Sequence, residues 1–113
     1  LAITKSVSPV PVTENGTLTY TFRIQNYGSV AATNTTGVVI TDTFAPVLNN
    51  LTAALNGTAW TAATDYTYNE ATGTFSSTAG AITVPAATYT QDSTTGAWVV
   101  TPGESTLVIT GTV

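Results

Sequence analysis

The run TLTYTFRIQN, Thr17–Asn26, constrains this chain more than any other stretch. Leu18, Tyr20, Phe22 and Ile24 alternate with Thr17, Thr19, Thr21 and Arg23. A strand sends successive side chains to opposite faces, so a period of two gathers the four large apolar groups on one face. A helix would scatter the same groups around its circumference. The run is therefore a half-buried strand, and it needs a second layer to cover its apolar face.

Further strand and turn signals follow along the chain. Leu1, Ile3 and Lys5 share one side of a short first strand, residues 1–5. Pro9 and Pro11 cannot donate to a ladder, so the stretch around them is an edge, a bulge or a crossover. Glu14-Asn15-Gly16 reads as a turn, and so does Asn26-Tyr27-Gly28-Ser29, with Gly28 available for positive φ. Residues 37–42 form a strand closed by Phe44-Ala45-Pro46. Asn56-Gly57 is the strongest hairpin signal; it joins residues 49–55 to 58–61, with Trp60 covering apolar surface. Residues 65–69 and 73–77 make a second hairpin with Tyr66 and Tyr68 on one face. A short strand at 81–84 and a pairing of 87–90 with 97–100 come next. Thr101-Pro102-Gly103-Glu104 has the residues of a type II turn. The last strand, 106–113, shows Leu107, Ile109, Gly111 and Val113 on one face. No segment carries a helical period. The pattern predicts one all-β domain over residues 1–113, an immunoglobulin-like β-sandwich with extra hairpins in the middle. A jelly-roll-like barrel is the alternative.

Charge decides which partners fit. Charged residues make up 7% of the chain, against roughly a quarter in an ordinary soluble domain. Lys5 and Arg23 are the only cations and the net charge is -4. Two cations cannot neutralise a run of phosphates, which argues against nucleic acid and anionic membrane surfaces as partners. No apolar run approaches the ~20 residues of a membrane-spanning helix, so no membrane insertion is expected of this segment. Histidine, cysteine and methionine are all absent, which removes the common general base, disulfides and soft metal ligands. No cofactor and no enzymatic activity are expected. Threonine hydroxyls wet the strand faces without charge, leaving a surface poorly defended against association. Two trypsin sites and no oxidisable sulfur suit a protein that works outside the cell. With neither an initiator Met nor a signal pattern at Leu1, the chain reads as a processed or excised piece.

Lys5, Pro9, the Leu18-Tyr20-Phe22-Ile24 run, Asn26, Gly28, Ala32, the Val38-Ile40-Asp42-Phe44 series and the closing PGESTLVITGTV resemble a bacterial surface-protein repeat, domain of unknown function eleven, or conserved repeat domain. The resemblance covers the first 45 residues and the last dozen, while residues 46–100 are longer than the usual repeat. It implies an immunoglobulin-like sandwich, often in tandem, in exported wall-bound, spore-surface or filament proteins, without enzyme activity.

Three groups of residues are candidate sites. Lys5 is a candidate for an isopeptide cross-link: a neutral amine attacks an Asn or Asp side chain while a nearby carboxyl shuttles protons. Asn26 and Asp42 are the candidate acceptors, with Asp42 or Glu104 as the shuttle, or the acceptor comes from a neighbouring subunit. The alternative is a lysine that snorkels to solvent. Asn15, Asn34, Asn50 and Asn56 each begin an Asn-x-Thr glycan-acceptor sequon, and Asn56 is also demanded by its hairpin. Trp60, Tyr66, Tyr68, Tyr89 and Trp98 are candidates for an aromatic sugar-binding platform, against the ordinary role of filling the core. Asp65, Asn69 and Glu70 come nearest to a calcium loop but lack its alternating spacing.

The expected function is a structural subunit or spacer of an extracellular, cell-surface or spore-surface assembly. It would contact copies of itself or neighbouring repeat domains through strand edges and low-charge faces. Residues 1–12 and 105–113, and the outer Thr17-Thr19-Thr21-Arg23 face, are the expected contacts. An adhesin module binding carbohydrate or protein is the alternative.

Overall fold

A computed structural model describes residues 1–9 and 13–113. Ten strands and no helix make up the described chain: β1 (Ala2–Ser8), β2 (Thr17–Asn26), β3 (Thr41–Thr43), β4 (Asn49–Leu55), β5 (Thr58–Ala59), β6 (Tyr66–Asn69), β7 (Thr74–Ser77), β8 (Thr88–Gln91), β9 (Trp98–Thr101) and β10 (Gly103–Thr112). A five-stranded sheet, in the order β1-β2-β10-β4-β5, faces a three-stranded sheet, β3-β7-β6. The hairpin β8-β9 forms a separate two-stranded ribbon. All strand pairings are antiparallel and no sheet closes on itself. The fold is therefore an all-β sandwich, and the barrel alternative does not apply.

The alternation in β2 does what its period dictates. Leu18, Tyr20, Phe22 and Ile24 are all buried, and the threonines between them face out. β10 lies along β2 over its whole length, from Gly103 opposite Asn26 to Thr112 opposite Thr17. Leu107 and Ile109 thereby join the buried face and are fully enclosed. The small sheet and the loops supply the opposing layer through Ile40, Phe44, Leu48, Tyr66, Phe75, Ile82 and Val84. Aromatic rings run through this interlayer from β2 towards β5. Tyr20 meets Phe44 at 4.5 Å between centroids, Phe44 meets Phe75 at 6.2 Å, Phe75 meets Tyr66 at 5.4 Å, and Tyr66 stacks on Trp60 at 6.3 Å.

The observed elements depart from the sequence expectation in several places. β1 runs on to Ser8 beyond the expected end at residue 5, because its whole length finds a partner in β2. It is an edge strand, as the prolines behind it suggest; the expectation for residues 10–12 lies outside the described residues. The strand expected at 37–42 shrinks to β3, since Ile40 accepts the Ser77 N–H but donates its own N–H to the Ser77 hydroxyl oxygen rather than to a regular ladder. Residues 81–84 form only a bridge, Val84 to Ala32, while Ile82 and Val84 fill the core. Gly28 does not adopt positive φ; Asn26 closes that turn by accepting the Gly28 N–H. Thr101-Pro102-Gly103-Glu104 is not a type II turn: Gly103 lies within β10 without positive φ. Glycine is needed there for another reason, because a Cβ would sit 1.8 Å from the Pro85 carbonyl oxygen.

Candidate interaction site

The small sheet has two strands fewer than the sheet it covers, and the shortfall falls on one side. In an antiparallel pair, directly opposed residues share a face. Ile3, Lys5 and Val7 of β1 oppose Ile24, Phe22 and Tyr20, so they belong to the inner face of the large sheet. The β2 residues are buried, yet Ile3 and Val7 remain 52% and 38% exposed. β1 thus overhangs, with its inner side uncovered.

β3 borders the same opening. Ser77 donates to the Ile40 carbonyl and Phe44 donates to the Gly73 carbonyl, which fixes the hydrogen-bonded pairs of the β3-β7 ladder. Because bonded and non-bonded pairs alternate, the backbone groups of Val39, Thr41 and Thr43 face away from β7. No described strand lies on that side. The result is an open groove of about 410 Å³ between β1 and β3. Ile3, Phe22, Val39 and Ile40 make it apolar, and Lys5 and Asp42 place one charge of each sign in it.

Those two charges meet. Lys5 Nζ lies 2.5 Å from Asp42 Oδ2 and 4.9 Å from the centre of the Tyr20 ring, with Phe44 and Phe22 at 5.8 and 6.0 Å. The ring faces attract the amine as the carboxylate does. Asp42 Oδ1 accepts the Thr43 N–H at 2.8 Å, which caps one outward group of β3. Oδ2 is buried and, despite the short contact, no donor reaches it at hydrogen-bond angles.

Of the four isopeptide candidates, then, the structure unites Lys5 and Asp42 and separates the other two. Asn26 is buried inside its turn, donating to the Val30 carbonyl at 2.8 Å and accepting the Gly28 N–H at 2.9 Å. Glu104 pairs with Arg23 on the opposite face of the large sheet. That pairing and its hydrogen bond hold the Glu104 carboxyl below the usual carboxylate range and raise the Arg23 guanidinium.

The aromatic candidates do not assemble into one platform. Tyr66 is buried, Trp60 packs on the core, and the Tyr68 hydroxyl binds the backbone of Leu48, donating to its carbonyl at 2.7 Å and accepting its N–H at 3.0 Å. Burial pushes the Tyr68 phenol up from its ordinary value. Only Tyr89 and Trp98 are exposed, at 45% and 65%, and both stand on the β8-β9 hairpin. There, Tyr89 opposes Val100 and Gln91 opposes Trp98, so all four share one face.

The sequon asparagines divide in the same way. All four are exposed, but the Asn56 amide is also engaged, donating to Ser105 Oγ at 3.3 Å and accepting the Thr106 N–H at 2.9 Å. Asp65 and Asn69 serve their own turns, Asp65 accepting the Thr61 N–H and Asn69 those of Ala71 and Thr72.

The pairing of 87–90 with 97–100 is found as β8-β9, but the groove and the exposure of that hairpin were not visible in the sequence, which placed the contacts on the terminal strands and the outer face of β2. β1 does have a free edge, but β10 lies between β2 and β4 with both edges paired, so it offers none. The signal for the hairpin's apolar surface was present in Trp98-Val99-Val100, an apolar triplet between polar turns. No family model matches the chain, and no curated protein or solved structure is similar to it beyond chance.

Proposed function

We propose that this protein is a non-catalytic structural subunit that associates with copies of itself through open strand edges in an extracellular assembly. The observation that supports the reading best is the one-sided opening of the sandwich. Two strand edges, those of β1 and β3, border an apolar strip on a chain with a 7% share of charged residues. Unpaired strand edges are templates for another chain, and natural proteins normally guard them with charge. Here the guard is one Lys5–Asp42 pair, whose charges cancel. The resemblance to an exported surface repeat points the same way and supplies the cell-surface, spore-surface or filament setting. Light scattering over a concentration series tests the reading: mass rising above that of an 11.6 kDa chain is expected, and a monomer at all concentrations opposes it.

A second reading, an adhesin module, is favoured by Tyr89 and Trp98 alone, since they are exposed on a ribbon that packs on nothing large. A glycan array with a specific hit abolished by Trp98→Ala, together with a monomeric protein, would select it.

A further inference from the structure

We infer that the groove between β1 and β3 is the acceptor for the β8-β9 hairpin of a second copy of this chain, which completes the smaller sheet. The inference rests on the self-association reading above and names the two surfaces that meet.

The strand count motivates it. Five strands face three, and the vacancy lies under β1; among the described residues the only strands that belong to neither sheet are β8 and β9. An isolated two-stranded ribbon is marginal in water, and every residue of both strands is exposed. Docked edge-on to β3, the hairpin extends the small sheet to β6-β7-β3-β9-β8 and brings it level with the large one.

The chemistry of the two surfaces corresponds. The groove needs an extended partner that satisfies the outward backbone groups of Val39 and Thr41 and presents an apolar side to Ile3 and Phe22. β9 is the more apolar strand of the ribbon and has four residues, enough to run along Val39–Thr41 and leave Thr43 capped by Asp42. β9 docks parallel to β3. Asp92 donates to the Ala97 carbonyl, so the outward backbone groups of β9 are those of Trp98 and Val100. In a parallel pair these bond Val39 and Thr41, while the Trp98 and Val100 side chains turn towards Phe22 and Ile40. β8 then lies under β1, with Tyr89 facing its apolar residues. One polar side chain on that hairpin face, Gln91, matches the one amine on the groove floor, Lys5. Val99 comes beside Val39 on the outer surface, and both are exposed in the single chain, at 54% and 45%.

In its own chain the hairpin is held at the end of the sandwich where β2 stops. Ala87 donates to the Gly28 carbonyl at 2.9 Å and the Tyr89 hydroxyl to the Tyr27 carbonyl at 2.7 Å. Donor and acceptor are therefore different surfaces of one molecule. Contacts of that kind repeat head to tail, and they give a ring when the rotation closes and a filament when it does not.

Because the chain has no cysteine, engineered pairs report contacts without interference. Val39→Cys, Thr41→Cys and Thr43→Cys proteins are each mixed with Val99→Cys protein and oxidised mildly, with Thr72→Cys on the β6-β7 turn as the control partner. A heterodimeric disulfide between residue 99 and at least one β3 position, formed roughly ten-fold or more faster than with the control, is expected from the raised local concentration. Assembly by light scattering without those disulfides overturns the hairpin contact and leaves the structural-subunit reading standing. A monomeric protein without intermolecular disulfides overturns both. A Thr41→Cys/Val99→Cys double variant that closes a disulfide within its own monomer also overturns the inference, because the hairpin then fills its own groove.

Discussion

Tyr68 shows how much of this fold depends on single polar atoms meeting partners distant in sequence. Its hydroxyl serves both backbone groups of Leu48, a residue with no exposed surface. Removing the hydroxyl strands a buried N–H and carbonyl, so Tyr68→Phe should cost about 1–3 kcal/mol in chemical denaturation. Ser77 and Ser105 act similarly, Ser77 accepting the Ile40 N–H while Ser105 donates to the Thr83 carbonyl. Gly103 is a steric case. Its missing Cβ makes room for the Pro85 carbonyl, and Gly103→Ala should destabilise by about 2–4 kcal/mol because backbone has to move. None of these roles was readable in the sequence, since each depends on a partner tens of residues away. Asn56 was the exception, because a hairpin demands it locally and the amide then reaches β10 as well.

Charge at the residue scale predicts a dependence of stability on acid. Glu104 is held below the usual carboxylate range by its hydrogen bond and charge pairing with Arg23, and Asp92 by the N–H groups of Thr95 and Thr94. Both carboxyls bind protons more readily in the unfolded chain than in the folded one. Their contribution is therefore present above the ordinary carboxylate pKa and fades as pH falls through the lowered folded values. Thermal melts should show Tm declining below about pH 4, and Glu104→Gln and Asp92→Asn should each flatten that decline. An unchanged acid slope in both variants would mean that these pairings do not shape the pH dependence.

Among the elements, β2 and β10 form the spine. They pair along their whole length and carry the buried face of the large sheet, so their amides should exchange with solvent only through global unfolding. The β8-β9 ribbon, bonded to the body through few groups, should exchange orders of magnitude faster in the monomer, and hydrogen exchange by NMR reads both. If the ribbon is as protected as β2, it is packed against something, and its exposed state here is not the dominant one. The period of two made β2 legible at sight, and Asn56-Gly57 gave the β4-β5 hairpin. Strand order was not legible, because alternation says which side of a strand is buried and nothing about its neighbours. That is why β10, at the end of the sequence and expected as a contact with other copies, lies in the middle of the sheet with both edges paired.

Taken whole, the molecule is an unequal sandwich with an apolar overhang and a projecting ribbon. The described residues span 56 × 32 × 20 Å, an elongated body. The fold class was legible because turns and alternation are local signals, whereas the candidate site arises from a mismatch between two sheets and exists only in the assembled fold. Association through this apolar opening, as proposed, needs no charge and should therefore persist in salt. Surface ion pairs, in contrast, are screened within a Debye length of ~10 Å at 0.1 M. Replacing the 88–101 segment with a short linker should leave a folded sandwich that no longer associates, as seen by circular dichroism and light scattering together.

Sedimentation velocity of the intact protein over a range of concentrations, with electron microscopy of the heaviest fraction, reads self-association without any variant. Species growing by whole subunits with concentration and, in the micrographs, linear or ring-shaped particles are expected. A single 11.6 kDa species at every concentration, with no ordered particles, would contradict self-association.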